Sequence, residues 1–134
     1  MNSSIILSSA VAAGGAIGSV LRFATVQFIA ETVDGEFPWG VATVNLVGSL
    51  LMGLLVGGLL SDPNENHLWR ALLAVGILGG FTTFSAFSLD LVRLLDRGAL
   101  LAALAYVCLS IFGGLAALLL GRFVAQNFSH WFIG

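Results

Sequence analysis

The chain has 134 residues and 14.0 kDa, 58% of them hydrophobic and only 9% charged, with a net charge of −2 and a mean hydropathy of +1.03. Soluble domains run near 45–50% apolar and about 25% charged, and a small domain buries only about 60–70% of the surface its unfolded chain exposes. A soluble enzyme, a nucleic-acid binder and a disordered tail are therefore excluded, and the composition is that of an integral membrane protein.

Charged positions divide the chain into four nearly uncharged runs. Each is close to the roughly 17–25 apolar residues that cross about 30 Å of hydrocarbon. The predicted spans are 4–30, 38–60, 68–95 and 98–126, forming one membrane domain over 1–134. Their loops are centred on Glu31–Glu36, Ser61–His67 and Asp96–Arg97. The period-two alternation of barrel strands is absent. The fold class expected is all-α, a four-helix transmembrane bundle in a multi-pass protein of the cell membrane.

The first apolar stretch has no basic residue before it and is too long for a signal peptide, so it is expected to be a retained helix. Gly14, Gly18 and Arg22 follow one another at four-residue spacing and share a face. An arginine at a helix centre costs about 2.5–3.5 kcal/mol on insertion scales. Two readings of Arg22 stand side by side: a side chain that snorkels to the interface, or a vestibule charge that gathers anions.

The second predicted helix carries Asn45, Gly48, Ser49, Met52 and Gly53 along one face. The Asn45 amide serves either as interhelical glue or as an N–H donor to an anion. In lipid, apolar burial does not drive helices together, so the small residues at four-residue spacing are read as close-packing surfaces.

The third predicted helix contains Gly76-Ile-Leu-Gly-Gly-Phe-Thr-Thr-Phe-Ser-Ala-Phe-Ser88. Gly79 and Gly80 each disfavour helix by roughly 1 kcal/mol relative to Ala, and the hydroxyls of Thr82, Thr83, Ser85 and Ser88 compete for backbone partners. A broken helix is expected here, and such breaks build ion sites in transporters. Flexible, glycine-rich packing is the alternative. Phe84 and Phe87 share a helical face, and the positive edges of two rings could attract an anion without formal charge; packing alone would give the same spacing.

The fourth predicted helix carries Tyr106, Ser110, Gly113, Gly114, Ala117 and Gly121 along a face, and Cys108, the single cysteine, is expected to be a small buried hydrophobe. The central candidates Asn45, Tyr106, Ser110 and the hydroxyls of 82–88 are all neutral donors. A proton-coupled carrier normally needs an intramembrane ionisable residue, so a passive pathway for a small anion is the better fit. All basic residues are Arg: Arg22, Arg93 and Arg97 lie toward one side, Arg70 and Arg122 toward the other. Orientation follows the basic excess; this near balance fits either ordinary imprecision or insertion both ways up.

At these residues the sequence resembles the Fluc (CrcB) family of fluoride channels. The likeness is carried by the stretch from Gly14 to Arg22, by Trp39-Gly40 through Ser49, and by Gly79-Gly-Phe-Thr-Thr-Phe-Ser-Ala-Phe-Ser88. The resemblance implies an antiparallel, dual-topology homodimer with two fluoride pores in a bacterial inner membrane. It implies that Asn45 is a pore asparagine, that Phe84 and Phe87 meet fluoride by their ring edges, and that Tyr106 and Ser110 lie on a polar track. It further implies a structural, non-transported sodium ion (Na+) held at the dimer centre by the backbone carbonyls of Gly79 and Thr82 from both copies. The sequence departs from the family pattern at Val41, Ile77-Leu78, Ala86, Gly114 and Leu118. The implied activity is passive export of fluoride, with fluoride, membrane lipid and a second copy as partners. A small multidrug-resistance-type exporter is the rival of similar size, but it relies on a membrane-embedded Glu, and the first helix has none before Glu31. A non-conducting helical assembly subunit would explain the glycines but not the hydroxyl-rich break.

Overall fold

Long apolar runs without internal proline leave the backbone one solution in lipid, which is to satisfy its own hydrogen bonds as helix. The computed structural model describes residues 2–62 and 67–133, so 63–66 of the second predicted loop lie outside the described residues. Helix α1 (Ser3–Thr32) has 30 residues, about 45 Å at ~1.5 Å per residue. Helix α2 (Trp39–Gly57) has 19 and ends as Gly58 leaves helical geometry, φ −114° and ψ −94°. The third span is divided into α3 over 67–81 and α4 (Phe84–Asp96). Helix α5 runs over 100–133. The described residues hold four helical spans long and apolar enough to cross a membrane, and no strand.

Glycine decides how these helices meet. A Cβ placed on Gly18 would run into the Ile77 carbonyl and come within 2.8 Å of the Phe81 nitrogen, and one on Gly80 would lie 2.7 Å from the Gly15 carbonyl. Helices α1 and α3 therefore touch backbone to backbone. On the other side of the bundle, a Cβ on Gly53 would strike the Leu118 carbonyl and one on Gly121 the Leu50 carbonyl, which seals α2 against α5. Such contact replaces the missing hydrophobic drive with dispersion and close dipole packing. Large apolar side chains such as Leu101, Phe112 and Phe123 point outward, as lipid solvation allows.

Two widened, π-helical stretches interrupt the regular winding, at Arg70–Leu78 in α3 and Leu109–Gly113 in α5. Such wide turns occur preferentially at functional sites. Helix α4 stops in a Schellman motif: Gly98 sits at φ 71°, its N–H donates to the Leu95 carbonyl, and the Ala99 N–H donates to the Leu94 carbonyl at 2.9 Å. The first and third loops share one end of the bundle, where Arg97 lies 3.6 Å from Glu36. Cys108 is exposed rather than buried. It lies two residues, about 200° of helix, from the fully buried Tyr106 and so takes the opposite face.

The break in the third span falls later than the glycines. Gly79 keeps helical angles, φ −63° and ψ −37°. Thr82 (φ −80°, ψ 159°) and Thr83 (φ −153°, ψ 127°) are the extended residues. Gly80 serves close packing against α1, whereas the chain turns out of the helix where two other helices supply hydrogen-bond partners.

Candidate ion pathway

A helix that stops in mid-span exposes its last carbonyls and the first N–H groups of its continuation. Here α1 and α2 answer that need. Asn45, on α2, donates from Nδ2 to the Thr83 carbonyl at 2.9 Å and accepts the Thr83 N–H at Oδ1 at 2.8 Å. The side-chain amide thus pairs with the extended residue as a neighbouring strand would. Arg22, on α1, donates from a guanidinium Nη1 to the Thr82 carbonyl at 3.2 Å. Thr83 caps α4 by accepting the Ala86 N–H at its Oγ1, 3.2 Å away. Its hydroxyl lies 3.4 Å from that of Ser85.

Beside the break lies an open groove of about 470 Å³ between α2, α3, α4 and α5. It brings together Asn45, Gly79, Thr82, Thr83, Phe84, Phe87 and Ser110, and none of its lining residues is ionisable. Phe84 is 79% exposed into this side of the molecule, while Phe87 is only 7% exposed. Their ring centroids are 5.6 Å apart with planes inclined at 40°. Phe87 leans on Tyr106 at 5.0 Å, and Tyr106 meets Phe37 edge-on at 5.6 Å. Phe37 in turn stacks on Trp39 at 4.4 Å. An aromatic series therefore runs from the groove to the first loop. The sequence reading missed Phe37 and the stacking of Trp39; the cluster Phe37-Pro38-Trp39 at the head of α2 was the signal.

Four of the expected site residues are placed away from the groove lining. Tyr106 stands fully buried behind Phe87. Ser85 is exposed, and Ser88 returns its hydroxyl to the Phe84 carbonyl at 2.9 Å. Arg22 is occupied at the Thr82 carbonyl. Thr82 lines the groove, yet its hydroxyl is spent on the Leu78 carbonyl at 3.0 Å. Ser110 is different: its Oγ is buried without a hydrogen-bond partner, and so is the Tyr106 hydroxyl, although the Asp90 carboxylate lies within electrostatic reach of the latter. A buried unmade hydrogen bond costs about 1–3 kcal/mol, so the Ser110 donor beside a groove is held at a cost that an acceptor in the groove would relieve.

The carbonyl end of α3 suits a hard cation. In an unbroken helix the Thr83 N–H would serve the Gly79 carbonyl, but Asn45 takes it. Gly79 and Thr82 both line the groove, and neutral carbonyl oxygens are the ligands that alkali and other hard cations prefer. No group of three or more His, Cys, Asp or Glu able to hold a metal occurs among the described residues.

The family described as CrcB-like protein, Camphor Resistance (CrcB), matches residues 9–122. The chain is 49% identical to the fluoride-specific ion channel FluC of Chelativorans sp., over 87% of this chain and 94% of that protein. It is 50% identical to the protein of the same name from Pseudomonas putida, over 84% and 91% respectively. The like-named protein of Agrobacterium fabrum is 44% identical over 87% and 94%.

Proposed function

The chain belongs to the CrcB-like family, and from that premise we propose that it is a fluoride-selective channel through which fluoride leaves the bacterial cytoplasm passively across the inner membrane. The observation that carries the reading is the groove itself. It is lined only by neutral groups and holds the tilted Phe84–Phe87 pair and the unpartnered Ser110 hydroxyl. Aromatic ring edges and O–H or N–H donors stabilise a small anion without a fixed counter-charge that would trap it. Fluoride, the smallest halide and the strongest hydrogen-bond acceptor among them, gains most from such donors. The relatives described above carry that ion in their names.

The working unit is an antiparallel homodimer of oppositely inserted copies, giving two pathways. Asn45, Phe84, Phe87, Thr83 and Ser110 line each pathway, Tyr106 stands behind Phe87, and Ser85 and Ser88 extend the polar surface along α4. A sodium ion rests between the copies on the carbonyls of Gly79 and Thr82, where it neutralises converging helix ends and is not transported. A negative-inside potential drives the anion outward by about 2.3 kcal/mol per charge per 100 mV. Neither nucleotide nor proton coupling is required.

The test is fluoride-electrode recording of efflux from liposomes containing the purified, dimeric protein. Release well above that of empty liposomes, with chloride retained, is expected. No release from vesicles shown to contain the dimer would overturn the reading.

A further inference from the structure

We propose that Arg22 is a positioning residue of the ion pathway: its guanidinium caps the carbonyl end of α3 and fixes the direction of the Thr82 carbonyl, and it does not act by gathering anions. This rests on the reading of the groove as an ion pathway. Gly14 and Gly18 press α1 onto the backbone of α3, and Arg22 follows on the same face one turn beyond Gly18. Arg22 Nη1 thereby meets the first extended residue, 3.2 Å from its carbonyl oxygen and 60 residues away in sequence.

Two further facts give that contact its consequence. The Thr82 carbonyl ends a helix whose C-terminus carries about half a negative charge, and a cation there is stabilising. Thr82 also lines the groove, next to Thr83, whose own carbonyl and N–H are held by Asn45. Arg22 and Asn45 therefore hold the two consecutive extended residues from two different helices. A carbonyl offers two lone pairs, so the contact with the guanidinium leaves acceptor capacity on the Thr82 oxygen. The guanidinium of the half-buried Arg22 is directed to the backbone by this contact.

The two roles separate experimentally. Surface charge that collects anions is screened as the Debye length falls from ~10 Å at 0.1 M salt to ~3 Å at 1 M. Its loss would raise the fluoride concentration for half-maximal flux and would be repaired by Arg22→Lys. A positioning role predicts that Arg22→Gln and Arg22→Lys both lower maximal flux by about fivefold or more, because the ammonium on its flexible stem is not held at the Thr82 carbonyl as the planar guanidinium is, with the same ratio to the parent at both salt concentrations. It also predicts that the backbone carbonyl carbon-13 resonance of Thr82, read by solid-state NMR in proteoliposomes, moves in both variants. Full rescue by Arg22→Lys, a deficit that vanishes at 1 M salt, or an unmoved Thr82 resonance overturns the proposal. Should neither variant assemble, the nitrogen-15 to carbon-13 coupling between the Arg22 guanidinium and the Thr82 carbonyl in the parent decides it, supporting the proposal if present and overturning it if absent. A parent that passes no fluoride but shows this coupling refutes the channel reading and leaves the cap standing.

Discussion

Asn45→Ala is expected to weaken the fold as well as the pathway, and the structure gives the size of the effect. The amide makes two hydrogen bonds to one residue, 2.9 Å to the Thr83 carbonyl and 2.8 Å from the Thr83 N–H. Interhelical hydrogen bonds in membranes average only about 0.6 kcal/mol each. Leaving a buried backbone group unpaired adds about 1–3 kcal/mol when burial is complete. Thr83 is half-buried, so the lower part of that range applies, and the total comes to roughly 2–3 kcal/mol. For a chain of this size each kcal/mol lowers the melting temperature by about 2–4 °C, which predicts a fall of roughly 4–12 °C. Asn45→Asp is expected to be worse, because it keeps the acceptor for the Thr83 N–H but turns an oxygen toward the Thr83 carbonyl. The assay is thermal unfolding of the purified protein in detergent, followed by gel filtration of the surviving dimer, beside liposome flux. An alanine variant that loses flux but melts within 1 °C of the parent would falsify the clamp. So would an ionised aspartate variant more stable than the alanine one, compared at a pH where the carboxylate is deprotonated.

Three more outcomes are expected. Phe87→Ile removes a ring that touches both Phe84 and Tyr106 and should cut fluoride flux severely while the dimer still assembles; unchanged flux in liposomes would take Phe87 out of the pathway. Ser110→Ala deletes a buried hydroxyl with no partner, so thermal stability should hold or rise by about 1 kcal/mol while flux falls, a combination that ordinary core damage does not give. Gly18→Ala forces a methyl onto the Ile77 carbonyl and should destabilise by about 1–3 kcal/mol through overpacking; a melting curve like the parent's would show that α1 and α3 can separate freely.

How far the sequence could be read follows from the physics of each element. The four spans were legible because lipid admits only long, self-satisfied helices, and the third was legibly broken from the density of hydroxyls after Gly80. The place of the break was not legible. Propensity points to Gly79 and Gly80, but propensity is a weak term beside two cross-helix hydrogen bonds, and those come from residues 38 and 60 positions away. Nothing local to Thr83 announces Asn45. The same distance hides the role of Arg22, which one sequence cannot distinguish from an interfacial or a vestibular charge. Asn45, Phe84, Phe87 and Ser110, which the groove brings together, stood out because a neutral donor or an aromatic pair amid hydroxyls is unusual on a lipid-facing helix, although packing and interhelical hydrogen bonding stayed open as readings. Phe37 did not stand out, because an aromatic beside proline at a helix start is ordinary and the Phe37-Pro38-Trp39 cluster is a weak signal.

The surface beside the break bears on the proposed pairing of two copies. Backbone outside a helix is tolerated within the hydrocarbon only where protein or water covers it. Helices α1 and α2 cover Thr82 and Thr83 from one side. On the other side Gly79 and Phe84 are exposed, and the groove that Gly79 lines is open. Arg22 caps the Thr82 carbonyl, but lipid tails offer no donor to the carbonyl of the exposed Gly79, so a lone chain would present that group to hydrocarbon. Water would satisfy it but would leave Phe84 exposed and unpacked. A second copy turned about an axis through the break meets both needs, since it brings an identical apolar ring and an identical set of carbonyls. Identical carbonyls facing one another repel, and a cation between them removes the repulsion. On the proposed reading the twofold partner and the bound cation therefore go together, and a dimer that formed equally well without any alkali cation would break that link.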